Sequence, residues 1–243
     1  MQYQTRISKL ENDDVIVRGE KLSDLVKAGK FSDAVFLEIS GRKPKLQESQ
    51  LFERMLISVM DHGMGVVSSL TSRFVVSGGN SLNVGVGAGV LSIGNYHGGA
   101  IEPAMKMFYE LAKLGEEAKE KVKEMINNKV TIYGFGHKHY KDSDPRVLLL
   151  LEEVKKIGFS SKHLYLKKII EESFIEIKGK QIPCNIDGIL ALFLCDFGFD
   201  CLLGKGVFII GRTPGLVAQV HEELKYEKPV RRVSEEEIEF IQE

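Results

Sequence analysis

The chain contains, at residues 132–146, the stretch Ile132-Tyr133-Gly134-Phe135-Gly136-His137-Lys138-His139-Tyr140-Lys141-Asp142-Ser143-Asp144-Pro145-Arg146. Two glycines directly before His137 allow a backbone with positive φ or a close ligand, so the imidazole is presented from a loop. Asp144, Pro145 and Arg146 predict a helix start, with Asp as the N-cap and Pro at the first helical position. An arginine just inside that helix can bind a carboxylate. The stretch therefore predicts a binding pocket built from a loop and a helix N-terminus.

Length and composition bound the class of protein. With 243 residues and 43% hydrophobic content, the chain can bury the core of one large domain without disulfides or a structural metal. Lys and Arg number 33 against 34 Asp and Glu, which gives a formal net charge of -1, and no long basic block occurs. Nucleic acid and an anionic membrane surface are therefore not expected as partners.

Cysteine usage and the N-terminal sequence predict the compartment. No two of the 3 cysteines form a Cys-x-x-Cys pair, and this favours reduced thiols over a disulfide framework or a zinc site. Residues 1–9 lack the apolar core of a signal peptide, and no apolar run reaches the roughly 18 residues of a membrane span. We therefore expect a soluble, cytoplasmic protein.

Apolar residues recur at helical spacing over most of the chain, which predicts a mostly α fold with little sheet. A short strand is predicted at 15–17, with Arg18-Gly19 as the turn after it, and a second strand and turn at 174–180. Thr213 and Pro214 predict the cap and first position of a last helix. The predicted helices cover 22–28, 31–39, 47–60, 66–76, 81–93, 101–114, 116–127, 147–157, 164–172, a segment beginning at 189, and a last helix reaching about 223.

Three glycines in the segment 81–93 superficially suggest a phosphate-binding loop. No strand pattern precedes Gly85, Gly87 and Gly89, and their spacing is not the dinucleotide fingerprint. We interpret them as sites of close packing between helices.

Ionisable side chains stand at several breaks between the hydrophobic helices. A buried carboxylate beside histidines and arginines suits carbon–carbon bond chemistry next to a thioester, which needs a base, an acid for the enolate oxygen and cations for carboxylates. A zinc site built from three histidines is the alternative, but His-x-x-x-His spacing is absent and the arginines would repel a cation. The residues concerned, which we predict to converge on one cavity, are His62, His97, His137, Arg146, Asp187 and Arg212.

Five motifs make the chain, from residue 17 to 223, similar to the citrate synthase superfamily, in which they occur in the same order. Within the superfamily, residues 67–72, 185–188 and 206–212 look most like citryl-CoA lyases, including the lyase module at the C-terminal end of ATP-citrate lyase. The segment between Arg18-Gly19 and the first motif is much shorter than in ordinary citrate synthases. The motifs are Asp61-His62-Gly63, His97-Gly98-Gly99-Ala100, Gly136-His137 through Arg146, Asn185-Ile186-Asp187 and Gly211-Arg212.

The resemblance implies a mostly α, citrate synthase-like multi-helical fold, reduced on the N-terminal side. It implies one domain over 1–243, with a large subdomain at approximately 20–125 and 190–243 and a small CoA-binding subdomain at approximately 126–189. The family forms dimers and higher oligomers, so a homodimer or larger homo-oligomer is expected, with helices 66–76 and 81–93 as contact surfaces.

The resemblance also implies residue roles. Asp187 would exchange the proton at the acetyl methyl carbon, His97 would stabilise the enol oxygen, and His137 would polarise the oxaloacetate carbonyl or receive the citryl hydroxyl proton. The dicarboxylate would be held by His62, Arg146 and Arg212, with Arg231, which follows Lys228-Pro229 where many synthases carry Arg-Pro, as a further candidate from a neighbouring subunit. The implied CoA-binding residues are Ile132, Gly134, Phe135, Gly136, Lys138, Lys141 and Lys180.

The function implied by the resemblance is citryl-CoA lyase, which cleaves (3S)-citryl-CoA to acetyl-CoA and oxaloacetate and would suit a reductive tricarboxylic acid cycle. No metal and no permanently bound cofactor is expected, because the coenzyme A thioester is the substrate. A citrate or methylcitrate synthase, which also hydrolyses the thioester, is the alternative. A non-catalytic CoA-binding or regulatory subunit is an alternative of another class.

Overall fold

The computed structural model describes residues 3–137, 140 and 142–242. Helices dominate this part of the chain, as the sequence predicts, and the strands are confined to its N-terminal end. The strands are β1 (Ser8–Glu11), β2 (Asp14–Val17) and β3 (Glu20–Lys21). The α-helices are α1 (Leu22–Ala28), α2 (Phe31–Ser40), α3 (Leu46–Ser58), α4 (Val67–Ser77), α5 (Leu82–Leu91), α6 (Ile101–Lys113), α7 (Ala118–Asn127), α8 (Pro145–Lys156), α9 (Leu164–Lys178), α10 (Ile186–Asp196) and α11 (Leu203–Tyr226).

The N-terminal strands form a small antiparallel sheet in the order β1-β2-β3. In β1 and β2, Ser8 lies opposite Val17 and Glu11 opposite Asp14. The turn into β3 uses positive φ at Arg18 (50°) and Gly19 (89°). The predicted strand at 15–17 and the turn after it are therefore confirmed.

The chain divides into two compact units, Met1–Ser58 with Ala100–Phe208 and Val59–Gly99 with Ile209–Glu243. In the first unit α10 is the central helix, since every side chain from Ile189 to Leu194 is 0% exposed. A helix that is apolar on all faces must be buried on all faces. The subdomain division at about 126–189 stays a prediction.

Four phenylalanines form a cluster in the core of the first unit. The ring of Phe36 lies 5.3 Å from that of Phe52 and 4.9 Å from that of Phe199, in edge-to-face arrangements, and Phe197 packs beside them at 5.7 Å. Aromatic pairs of this geometry add about 1 kcal/mol each beyond area burial. The cluster joins α2 and α3 to the segment that follows α10.

In the second unit, α4 and α5 pack closely through glycine. A methyl group added at Gly85 would overlap Val76 Cγ1, and one at Gly89 would overlap the hydroxyl of Ser72. The packing interpretation is confirmed for these two glycines. It is wrong for Gly87, which has no atom of the described chain within 4 Å of an added methyl group, because this residue faces away from α4.

Two local predictions are wrong because tertiary packing overrides them. Helix α9 extends to Lys178, through most of the strand and turn predicted at 174–180, and is capped by Gly179, whose left-handed φ of 65° lets its N–H donate to Ile175 O. Helix α11 likewise continues through the start predicted at Thr213, with Pro214 inside it. Proline costs an interior helix about 3 kcal/mol, but α11 fully buries side chains on both sides of it, at Val207, Leu216 and Val220.

No helix in the described part of the chain combines the length and the apolar character needed to cross a membrane.

Candidate active site

The loop that carries His137 is hydrogen-bonded to the segment that leads into α10. Gly134 and Gly136 both have positive φ, 82° and 81°, as their sequence predicts. The backbone N–H of Asn185 donates to Gly134 O at 2.9 Å, and its side-chain Nδ2 donates to Gly136 O at 2.8 Å. Gly136 N–H donates in turn to Pro183 O at 2.7 Å. His137 therefore extends from a loop held by the residues before α10.

The first turn of α10 carries Asp187. Asn185 caps this helix, its Oδ1 accepting the N–H of Gly188 at 3.1 Å, so α10 begins at Ile186 and the start predicted at 189 is wrong. A carboxylate in the first turn lies at the positive end of the helix dipole. A methyl group added at Gly188 would overlap the carbonyl oxygen of Gly134. Helix α10 thus holds Asp187 close to residues 134–136, here called the glycine loop, because the backbones of Gly188 and Gly134 are in contact.

Asp144 joins the start of α8 to the start of α10. Its Oδ1 accepts from the Arg146 backbone N–H and Nε at 3.0 Å, and its Oδ2 accepts Arg146 Nη2 at 2.8 Å and Ile186 N–H at 3.2 Å. The side chain of Asp144 is fully buried. Burial raises its pKa, but the hydrogen bonds and charge of Arg146 and the charge of His137 outweigh that effect and hold the pKa below its usual range. The predicted helix start at 144–146 is confirmed, and its arginine pairs with its own cap.

His137 is oriented by the residue three positions on. The N–H of Tyr140 donates to His137 Nδ1 at 3.1 Å, and the two rings lie 4.5 Å apart. A neutral imidazole that accepts at Nδ1 carries its proton on Nε2. His137 can therefore donate a hydrogen bond from Nε2 to an oxygen.

The second unit brings together His62, His97 and Arg212. His97 Nε2 lies 2.8 Å from the hydroxyl of Ser68 on α4. Burial lowers the pKa of His97, and the charges of Arg212 and His62 lower it further, so the imidazole is neutral at pH 7. Arg212 is 2% exposed and donates from Nε to Val59 O at 2.7 Å. The grouping is a neutral imidazole beside a buried cation.

A family model described as the citrate synthase C-terminal domain matches residues 27–233. The chain belongs to the citrate synthase family. Citrate synthase 2 of Bacillus subtilis is 29% identical over 195 residues, which cover 79% of this chain and 52% of that protein. Citrate/2-methylcitrate synthase of the same organism is 31% identical, covering 76% and 50%. The chain thus spans about half the length of the curated relatives it matches.

Solved structures show the same fold. Citryl-CoA lyase from Hydrogenobacter thermophilus has a TM-score of 0.95 and 42% identity, and the match covers 99% of this chain and 95% of that one. ATP citrate lyase from Methanothrix soehngenii, in complex with citrate and coenzyme A, has a TM-score of 0.87 at 23% identity, over 100% of this chain and 42% of that one. The second likeness is evidence for the fold alone.

Four more of the predicted residues of this citrate synthase family member lie in the described part of the chain. Arg231 donates from Nε and Nη2 to the buried carboxylate of Glu223 at 2.9 and 2.6 Å. Lys180 is exposed, whereas the side chains of Ile132 and Phe135 are buried. Lys138 and Lys141, and His139 between them, lie outside the described residues.

Each unit brings together three of the six groups predicted to converge. His137, Arg146 and Asp187 belong to the first unit and His62, His97 and Arg212 to the second. Their convergence on one cavity, and the role of each, stay predictions.

Sequence reasoning missed two residues that orient these groups. Ser68, which bonds His97, lies in the stretch 67–72 that resembles citryl-CoA lyases, but the resemblance assigned it no role. Asp144 was expected as a cap, but its bond to the N-terminus of α10 depends on a fold that brings Ile186 to it. Neither contact has a local signal.

The described residues contain no cluster of three or more His, Cys, Asp or Glu side chains arranged to hold a metal. A cavity of about 230 Å³ lies in the first unit between α8, α9 and the segment before α10, next to Asp144 and to the Lys167–Glu171 ion pair. Asp187 and His137 do not line it.

We expect Asp144→Asn to destabilise the protein by about 2 kcal/mol at pH 7, because a buried charged acceptor of four hydrogen bonds is lost. The folded-state pKa of Asp144 is depressed, so its stabilising contribution is present above the unfolded value of about 3.9 and is lost as pH falls through the folded value. The difference between wild type and variant should therefore shrink below about pH 3. Urea unfolding at pH 7 and pH 3 measures it. The exposed neighbour Asp142 is the control, and an equal effect of Asp142→Asn at pH 7 would contradict the assignment.

Proposed function

We propose that the protein is a citryl-CoA lyase that cleaves (3S)-citryl-CoA to acetyl-CoA and oxaloacetate. The observation that carries the proposal is the 42% identity to the Hydrogenobacter thermophilus enzyme, at a TM-score of 0.95 over nearly the whole length of both chains. The citrate synthases that the chain matches, by contrast, are covered over only 52% and 50% of their length.

The proposed chemistry is a retro-Claisen cleavage. Nε2 of His137 takes the proton of the citryl hydroxyl after its own proton has moved to Nδ1, which requires the bond from Tyr140 N–H to open. The bond between the carbinol carbon and the thioester methylene breaks, and its electron pair passes into the thioester as an enolate. His97, neutral because its pKa is lowered by burial and by Arg212 and His62, donates a hydrogen bond to the enolate oxygen. Asp187, which must be a carboxylic acid when the bond breaks, delivers its proton to the methylene carbon; this completes acetyl-CoA and leaves Asp187 as a carboxylate. In the condensing direction the Nε2 proton of His137 would polarise the oxaloacetate carbonyl.

Substrate carboxylates are assigned to His62, Arg146 and Arg212. The buried guanidinium of Arg212 and the Asp144-bound guanidinium of Arg146 are both held in place before substrate arrives, which lowers the entropic cost of binding. Arg231 stays a prediction, because it must leave Glu223 to meet a carboxylate elsewhere. Coenzyme A is assigned to the backbone of residues 132–136 and to Lys180, with Lys138 and Lys141 as further predictions.

Two incubations test the proposal. Purified protein is mixed with citryl-CoA, and separately with acetyl-CoA and oxaloacetate. Release of oxaloacetate and acetyl-CoA in the first supports the lyase. Formation of citrate with free CoA in the second, without cleavage in the first, supports the synthase that the names of the Bacillus subtilis relatives favour. No reaction in either defeats both and supports a non-catalytic CoA-binding subunit.

Ser68→Ala is expected to lower kcat for citryl-CoA cleavage by about 10-fold, with KM changed less than about twofold. The hydroxyl of Ser68 lies 2.8 Å from Nε2 of His97. In the tautomer proposed for cleavage, this hydroxyl donates to Nε2 and the imidazole proton is on Nδ1, from which it is donated to the enolate oxygen. Steady-state kinetics measure the effect.

The matched control is Ser69→Ala. Ser69 is the next residue on α4, and its hydroxyl is buried without a hydrogen-bond partner among the described residues. Its removal should leave both constants unchanged. Equal losses in the two variants would show that packing of α4, and not the bond to His97, is what matters.

The assembly and location complete the proposal. We propose a homodimer or higher homo-oligomer in the cytoplasm, serving a reductive tricarboxylic acid cycle. Large apolar side chains are exposed on α4 and α5, which supports these helices as the contact surface, and sedimentation analysis tests it. They are Val67, Phe74, Leu82, Val84 and Leu91.

A further inference from the structure

One face of α11 holds the backbone that leads into His62. Arg212 Nε donates to Val59 O at 2.7 Å. Gly215 lies against the next residue, where an added methyl group would overlap Met60 O. Residues 212, 215 and 219 are spaced so that they share one face of a helix. The segment is therefore held at successive residues by a single helix face.

The third point on that face is Gln219, whose Nε2 donates to Asp61 Oδ2 at 3.2 Å. The other carboxylate oxygen of Asp61 accepts the backbone N–H of His62 at 2.6 Å and of Gly63 at 2.9 Å. Burial raises the pKa of Asp61, but the bonds from Gln219 and the two amides, with the charge of Arg212, hold it below its usual range. An ionised Asp61 thus sets the backbone conformation at His62.

The amide of Gln219 is oriented from its other side by Arg73. Its Oε1 accepts Arg73 Nη1 at 2.9 Å. Arg73 is 2% exposed, and its Nε donates to Glu223 Oε2 at 2.8 Å. A guanidinium cannot accept a hydrogen bond, so the oxygen of Gln219 must face Arg73 and its NH2 must face Asp61. Only an amide meets both demands at position 219.

We propose that Gln219 is a positioning residue for His62, acting through the Arg73–Gln219–Asp61 relay. This inference rests on the proposed function, in which His62 binds the substrate dicarboxylate. The relay keeps His62 in its binding conformation before the substrate arrives. It acts on substrate affinity and leaves the cleavage step unchanged.

An exchange of charge between the two side chains tests the relay. Gln219→Glu places a second carboxylate against Asp61, and Asp61→Asn places an amide NH2 against that of Gln219. Each single variant should raise KM for citryl-CoA by about 10-fold, with kcat within about threefold of wild type. In the double variant the new amide at position 61 can donate to the new carboxylate at position 219, which still accepts from Arg73. KM should therefore return to within about threefold of wild type.

The control is Glu222→Gln, which removes another acceptor of Arg73 without touching Asp61. Its KM should equal that of wild type, and thermal unfolding should show all variants folded. The inference is overturned if Gln219→Glu leaves KM unchanged, if the double variant is no better than the worse single variant, or if Glu222→Gln raises KM as much.

A second readout is independent of activity. The chain has 6 histidines, whose ring signals can be followed by NMR through a pH titration. The His62 signal should move in Gln219→Glu and return in the double variant, while the others stay. If wild type cleaves no citryl-CoA, the proposed function fails and the NMR result still decides the relay, since an unmoved His62 signal would overturn it.

Discussion

Asp187→Asn is expected to lower kcat for citryl-CoA cleavage by at least about 100-fold, because a positioned group that moves a proton contributes about 10²–10⁴ in rate. Asparagine has the same shape but cannot deliver a proton to the methylene carbon. The fold should survive, because asparagine has nearly the same size and can occupy the same place in the first turn of α10. Loss of the interaction between the carboxylate and the helix dipole is worth less than about 1 kcal/mol. Steady-state kinetics and thermal unfolding measure the two effects.

The matched control for this variant is Asp24→Asn. Asp24 also lies in the first turn of a helix, α1, and its side chain is 59% exposed. Both variants should stay folded, while only Asp187→Asn loses activity. If Asp187→Asn keeps more than about a tenth of the wild-type kcat, proton transfer by this residue is ruled out.

Gly188→Ala is expected to lower kcat/KM by about 100-fold and to destabilise the protein by about 2–3 kcal/mol. The added methyl group would overlap the carbonyl oxygen of Gly134, which is backbone and cannot rotate away. The glycine loop or α10 must therefore move, and with it the spacing between His137 and Asp187. A shift of about 1 Å at a reacting centre is enough for such a loss.

Gly206→Ala is the control for this clash. Gly206 lies inside α11, and no atom of the described chain is within 4 Å of an added methyl group. Alanine there should stabilise the helix by about 0.5–1 kcal/mol and leave kinetics unchanged. Circular dichroism melts and citryl-CoA cleavage assays separate the outcomes. Equal activity of the Gly188 and Gly206 variants would mean that the contact between loop and helix is not needed for catalysis.

The Gly188 and Ser68 variants test different contacts in the proposed mechanism. Gly188→Ala changes the contact between α10 and the glycine loop in the first unit. Ser68→Ala removes the hydroxyl that contacts Nε2 of His97 in the second unit. Each variant therefore tests a contact that lies within one unit.

Much of the local structure can be predicted from the sequence because its causes lie within a few residues. Asp144 accepts the N–H of Arg146, as a helix cap does in any fold, and Pro145 already has the required φ. Gly134 and Gly136 take the positive φ that only glycine adopts cheaply. The motif order was likewise enough to identify the citrate synthase family, which the family model confirms.

Predictions failed where distant residues outweigh local preference. Pro214 is typical of a helix start, yet α11 runs through it because burial on both sides offsets the proline. The strand predicted at 174–180 is helix because Leu166, Ile170 and Ser173 bury one face of α9. Gly85 and Gly87 lie two residues apart in the same helix, and only their packing distinguishes them.

The sequence by itself determined which ionisable groups are available, which helices and turns present them, and the family. Tertiary structure decided what each group bonds: Asp144 with the start of α10, Ser68 with His97, Gln219 with Asp61. The physical reason is the separation along the chain over which each kind of interaction acts. Capping and φ preferences act over a few neighbouring residues, whereas a hydrogen-bond partner or a close backbone contact can come from chain 150 residues away, as Glu223 is from Arg73.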